Sequence, residues 1–154
     1  MSYACLLVHA VLVCDGRRPL LTPDTRTRLY PFLGSVLLQR RTALLAANGM
    51  NDHVHVLLSL GRTQAVADLM REMKSVSSKW IRAELGHSGF GWQSEYAAFS
   101  VSPSARPQVE RYIANQEQHH RKRDLRQEML VLLAAHGLEP SPVDPWLGAE
   151  AVAS

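Results

Sequence analysis

Residues 3–14 form an apolar run rich in Leu and Val that ends at the turn pair Asp15-Gly16, which predicts a first strand. Thr22-Pro23-Asp24 then opens a helix: a hydroxyl cap, a proline at the first helical position, and an acid at the positive end of the dipole. Leu29, Phe32, Leu33, Val36 and Leu37 follow at helical spacing. Pro31 lies inside that run and is expected to kink or split the helix. Two strands come next, 42–47 and 53–60, joined through Asn48 to Asp52 as a hairpin. In the second of these, Val54, Val56 and Leu58 share one face, and His53 and His55 share the other.

The clearest helical pattern covers 63–86, where Val66, Leu69, Met73, Val76 and Trp80 fall in one stripe. Arg71, Lys74, Ser75, Ser78 and Arg82 fall opposite, a basic and hydroxyl-bearing face suited to phosphate oxygens and also to plain solvation. Trp92 and Tyr96 lead into a fourth strand at 97–101; such aromatics can stack on bases but more often belong to core or rim. Ser104 caps a helix expected over about 105–122, with Pro107 harmless in its first turn. Asp124 caps a last helix with Leu125, Met129, Leu132 and Leu133 on one face and Gly137 as its stop. These elements predict one α+β domain over residues 1–138: a ferredoxin-like β-α-β-β-α-β unit with additional C-terminal helices. Residues 139–154, rich in Pro, Ala and Ser, read as a tail that Trp146 could dock.

Composition narrows the class. Hydrophobic residues make up 46% of the 154, which fits a globular chain rather than a disordered one. Lys and Arg number 17 against 14 acids, a mild basic excess that permits a nucleic-acid partner without requiring one. Cys5 and Cys14 are too few for a disulfide scaffold and are not spaced as a CxxC site, so a reducing cytoplasm is the expected compartment. No apolar run reaches the roughly 18 residues that argue for a membrane span, and the early apolar run contains His9 and lacks a basic leader.

The candidate chemistry sits on two elements. His53 and His55, side by side on one strand face, could hold two adjacent positions of a metal, or could simply be polar residues on a half-exposed strand. Tyr112, Gln116 and His119 recur at helical spacing with His120 at the edge of the same stripe. Phenol, amide and imidazole in such a stripe look chemical, although a histidine near a helix end also serves the dipole. The run Arg121-Lys122-Arg123 follows directly.

Taken together, several stretches resemble a known family. His53-Val54-His55 resembles the His-hydrophobic-His motif of HUH endonucleases, and Tyr112-Ile113-Ala114-Asn115-Gln116 resembles the tyrosine helix of single-tyrosine, insertion-sequence-200-like transposases. Lys74 to Lys79 resembles another stretch of that family, and Trp92 to Ser102 and Asn115 to Arg121 are especially similar to the subgroup associated with repetitive extragenic palindromes. The likeness covers roughly residues 5–137; it departs at Glu95, where members often carry Gly, and at Pro31. The resemblance implies a nuclease and strand transferase acting on single-stranded, hairpin-forming DNA. Tyr112 would be the nucleophile that forms a 5′-phosphotyrosine, and the C-terminal helix that carries it would lie across the histidine face. His53, His55 and Gln116 would hold Mg²⁺ or Mn²⁺, with His119 and His120 as alternative ligands or phosphate contacts. Arg17, Arg18, Arg71, Lys74, Arg82, Arg121, Lys122 and Arg123 would grip DNA. Family members can form homodimers that exchange the tyrosine helix, which leaves the subunit in which Tyr112 acts open. Two other readings of the residues stand beside this one: a nucleic-acid-binding module without catalysis, and a metal-dependent phosphodiesterase that needs the histidines but no covalent step.

Overall fold

The computed structural model describes residues 1–141, so the expected docking by Trp146 lies outside the described residues. The main elements are β1 (Leu7–Val13), α1 (Pro23–Leu38), β2 (Ala43–Gly49), β3 (His53–Ser59), α2 (Val66–Glu84), β4 (Ala97–Val101), α3 (Arg106–Ala114), α4 (Gln116–His120) and α5 (Leu125–Ala135). The strands form one sheet in the order β2-β3-β1-β4, with every neighbouring pair antiparallel. Helix α1 links β1 to β2 with β3 between them, and α2 links β3 to β4 across β1. The order through β4 is the β-α-β-β-α-β expected from the sequence, in an α+β fold.

The two sheet faces differ in character. On one, Ala10, Leu12, Cys14, Val54, Val56 and Leu58 meet Leu29, Leu33 and Leu37 of α1 and Leu69, Met70, Met73 and Ile81 of α2 in the main core. On the other, Val11, Val13 and Phe99 meet only Leu125 and Met129 as buried apolar partners among the described residues. That second face also carries the buried polar residues His9, His53 and His55.

The hairpin forms as patterned, and Gly49 closes it for a steric reason. A Cβ there would lie 2.1 Å from the His53 carbonyl oxygen, a distance no side chain tolerates. Helix α1 starts as expected, with the Thr22 hydroxyl accepting from the Thr25 amide at 3.2 Å. It does not break at Pro31 but runs through it. Pro31 and Thr27, whose carbonyl loses its usual donor there, both lie on the exposed side, where water can replace the missing N–H.

Two other expectations need correction. In α2 the buried positions are Leu69, Met70, Met73, Ser77 and Ile81, so the stripe lies about one residue further round than the apolar pattern suggests. Ser77 is buried because its hydroxyl accepts from Trp92 Nε1 at 2.9 Å, while Trp80 stacks on Phe32 at 4.2 Å. The single helix expected over 105–122 is divided at Asn115, whose backbone leaves helical geometry (φ −100°, ψ 26°). The Asn48 side chain, at the edge of the sheet, donates to the Ala114 carbonyl at 3.1 Å, a side chain inserted into the helical ladder at the bend. Helix α5 begins with a full capping box between Asp124 and Gln127.

Candidate active site

Strand β3 delivers His53 and His55 to the second sheet face, where both are fully buried rather than half-exposed. Helices α3 and α4 lay Tyr112, Gln116 and His120 over them. The group at the centre is one that sequence reasoning missed, Glu128 of α5. Its Oε1 lies 2.8 Å from His55 Nε2, 3.3 Å from His53 Nε2 and 3.2 Å from His120 Nε2. Its Oε2 accepts from the Tyr112 hydroxyl at 2.5 Å and from Gln116 Nε2 at 3.1 Å. Glu128 sits on the apolar side of its helix, beside Met129 and one turn from Leu125 and Leu132. A lone carboxylate on an apolar stripe was the signal available.

The outer partners orient this cluster. The Asp52 carboxylate accepts from His53 Nδ1 at 2.7 Å, which aims Nε2 of the same ring at Gln116 Oε1 (3.1 Å) and at Glu128. His55 Nδ1 meets Nε2 of His9, from β1, at 2.8 Å. The His119 ring stacks on Tyr112 at 4.6 Å, and its Nε2 is buried without a hydrogen-bond partner among the described residues.

Electrostatics follow from this packing. Burial pulls His53 down, but the carboxylates of Asp52 and Glu128 outweigh it and hold its pKa up at about 9. Burial lowers His55, against the pull of Glu128, and burial with neighbouring His55 lowers His9 to about 3. Burial works to raise Glu128, but hydrogen bonds from His120, His53 and His55 prevail and keep the carboxylate ionised well below its usual range. Burial and the Glu128 carboxylate both push the Tyr112 phenol up, so in this arrangement it keeps its proton.

The donor set suits a divalent cation. Ligand atoms of His53, His120 and Glu128 all lie within 4.8 Å of one another, and His55 Nε2 and Gln116 Oε1 border the same space. Imidazole nitrogens mixed with carboxylate and amide oxygens, and no thiolate, favour a hard or borderline ion.

The basic residues divide into groups. Arg121, Lys122 and Arg123 line a cavity of about 570 Å³ together with Tyr112, Asn115, Gln118 and His119. Arg71 and Lys74 border a separate recess of about 270 Å³ with Ser75, Ser78, Trp92, Gln93 and Ser94. There Lys74 Nζ is already engaged, donating to the carbonyls of Gln93 (3.0 Å) and Ser94 (2.6 Å), and Arg71 pairs with Asp68 at 3.0 Å. Arg82 donates to the Phe90 carbonyl and Arg18 to that of Asp15, while Arg17 occupies a left-handed turn at φ 54°. Trp92 is half-buried at the rim, set edge-on to Phe90 at 5.0 Å.

Comparison with known proteins agrees with the geometry. The family model for IS200-like transposases matches residues 2–116, and the chain belongs to that family. The chain is 26% identical over 114 residues to the ISDra2 transposase TnpA of Deinococcus radiodurans, covering 70% of this chain and 81% of that protein. A crystal structure of a transposase from Deinococcus radiodurans R1 superposes with a TM-score of 0.62 at 25% identity, over 75% of this chain and 93% of that one. A REP-associated tyrosine transposase bound to a REP hairpin shares the fold with a TM-score of 0.61 at 16% identity, over 91% and 86% of the two chains. This chain is therefore a transposase by family, and DNA is the substance such proteins process. Among the described residues no helix is long and apolar enough to cross a membrane.

Proposed function

We propose that this protein is a metal-dependent endonuclease and strand transferase for single-stranded DNA, with Tyr112 as its nucleophile and a hairpin or palindromic end as its substrate. The observation that carries the reading is the convergence of the Tyr112 hydroxyl, Gln116, His53, His55 and His120 on one buried carboxylate, Glu128. The hairpin is inferred from the fold shared with the REP-bound transposase.

In the forward step the Tyr112 oxygen attacks the scissile phosphorus. The bond to the 3′ oxygen breaks, a free 3′-OH leaves with a proton, and the 5′ phosphate stays on the tyrosine. Attack by a 3′-OH reverses the exchange and reseals a strand without an energy cofactor. His53, His55 and Gln116, joined by Glu128 and His120, would hold Mg²⁺ or Mn²⁺. When bound, the ion supplies positive charge that polarises the phosphate and eases loss of the phenolic proton. Glu128 Oε2 is the protein atom in place to receive that proton. His119, stacked on the phenol, limits its swing. Arg121, Lys122 and Arg123 face the cavity beside Tyr112 and would hold phosphates flanking the cleavage point.

The binding-module reading wants an open sheet for base stacking, whereas the face with the histidines lies under α3, α4 and α5. The experiment is a denaturing gel of end-labelled hairpin DNA with protein and Mn²⁺ or Mg²⁺. A protease-sensitive protein–DNA band supports the proposal. Cleavage with no such band favours a phosphodiesterase, and binding with neither favours a binding module.

A further inference from the structure

His9 plays no part in the scheme above, yet it is buried at the centre of the sheet face that carries the site. It pairs across β1–β3 with Leu57 and across β1–β4 with Phe99, and it stands diagonal to His55, whose direct partner is Val11. Its ring lies 5.9 Å from Phe99 and 6.0 Å, edge-on, from Tyr112, so packing fixes its plane. Its Nε2 is 2.8 Å from His55 Nδ1.

We propose that His9 is a positioning residue that lets His55 change tautomer with its buried Nδ1 paired throughout. This rests on the metal reading of the site. The contrast with His53 carries the argument. Asp52 is an acceptor only, so it holds a proton on His53 Nδ1 at all times and reserves Nε2 for the site. His55 faces different demands. With Glu128 opposite its Nε2 at 2.8 Å, that nitrogen carries the proton, and its bare Nδ1 needs a donor. If Nε2 instead gives its lone pair to an ion, a neutral ring must carry the proton on Nδ1, which then needs an acceptor. A neutral imidazole serves as either at the same atom, by moving its own proton between its two nitrogens. A carboxylate could only accept there, and an apolar residue could do neither.

The test uses the full chain. Mn²⁺ binding is measured by calorimetry for wild type, His9→Leu and His9→Gln, whose amide can turn to donate or accept. The ring nitrogens of His55 are assigned by ¹⁵N NMR in metal-free and Mg²⁺-loaded wild type. The proposal expects a ~10–100-fold loss of Mn²⁺ affinity in His9→Leu, the usual range for lost outer partners of metal ligands. It expects near-complete rescue in His9→Gln, and a proton that moves from Nε2 to Nδ1 of His55 on loading. Wild-type affinity in His9→Leu, a loss in His9→Gln, or one unchanged tautomer overturns it. Should His9→Leu not fold, the glutamine variant and the tautomer measurement decide alone. Mn²⁺ uptake that ignores His9 overturns this proposal only; a wild type that takes up no Mn²⁺ overturns the metal reading as well.

Discussion

The Tyr112 hydroxyl and the Glu128 carboxylate meet at 2.5 Å, although they stand on different helices and 16 residues apart. The bond connects the proposed nucleophile to the one buried acid among the described residues. It also opposes ionisation of the phenol, because a negative neighbour disfavours a phenolate. The resting arrangement therefore orients the tyrosine and keeps its hydroxyl protonated.

Tyr112→Phe is expected to bind hairpin DNA like wild type and to form no covalent adduct. Its fold should lose only about 1–2 kcal/mol, since Glu128 keeps its imidazole and amide partners. The denaturing gel checks the chemistry and urea unfolding checks the stability. Full cleavage by this variant removes Tyr112 from the reaction.

Glu128→Ala is expected to be strongly destabilising. It leaves His53 with Asp52 alone and takes from His55, His120, Gln116 and Tyr112 their shared buried acceptor, each such loss typically costing ~1–3 kcal/mol. Glu128→Gln keeps the shape and should fold, yet bind Mn²⁺ weakly and fail to cleave. His55→Ala should lose metal-dependent cleavage in the same assay. Cleavage that persists in a chelator would show that no ion takes part.

Metal-free stability should respond to pH from both sides. His53 sits at about 9, above its ordinary 6.5, so its contribution is complete below about 6.5 and fades as pH rises through 9. His9 sits at about 3, below its ordinary value, so the unfolded chain takes up a proton that the fold refuses, and stability falls as pH drops from 6.5 toward 3. Melting temperatures in a chelator should thus peak between these limits. A steady rise from pH 6 to pH 10 would contradict the assignment for His53.

The basic residues should separate into two classes. Arg121→Ala and Arg123→Ala, at the cavity beside Tyr112, should weaken DNA binding at unchanged melting temperature. Each lost phosphate contact should lower the slope of log affinity against log salt by about 0.7 for a single strand. Lys74→Met should instead lower the melting temperature, because it unties the carbonyls of Gln93 and Ser94. Equal behaviour of the two classes would mean that Lys74 also spends its charge on DNA.

The readable parts of this protein were those with local cause. Period-two alternation placed His53 and His55 on one face, the Asn48–Asp52 turn marked the hairpin, and Thr22-Pro23 marked the start of α1. The likeness of Tyr112 and Gln116 to a family motif marked the helix laid over them. Glu128 was hard to read because its strand partners are remote: His55 is 73 residues away, and only the place of an acid on an apolar stripe hinted at burial. The bend at Asn115 was hidden for the same reason, since it coincides with a contact from Asn48 across 66 residues. The apolar stripe of α2 was read slightly out of phase, because a serine went inside to meet Trp92 while a tryptophan remained at the rim.

The unequal faces of the sheet have a mechanical consequence. The side under α1 and α2 is sealed by oil, whereas α5 is fastened by a small apolar patch and by the polar cluster around Glu128. The groups proposed to do the chemistry are thus also the clasp of the C-terminal third. Whatever fills the cluster tightens that clasp, so occupancy should be visible as slower amide exchange along α5 while α2 stays unchanged.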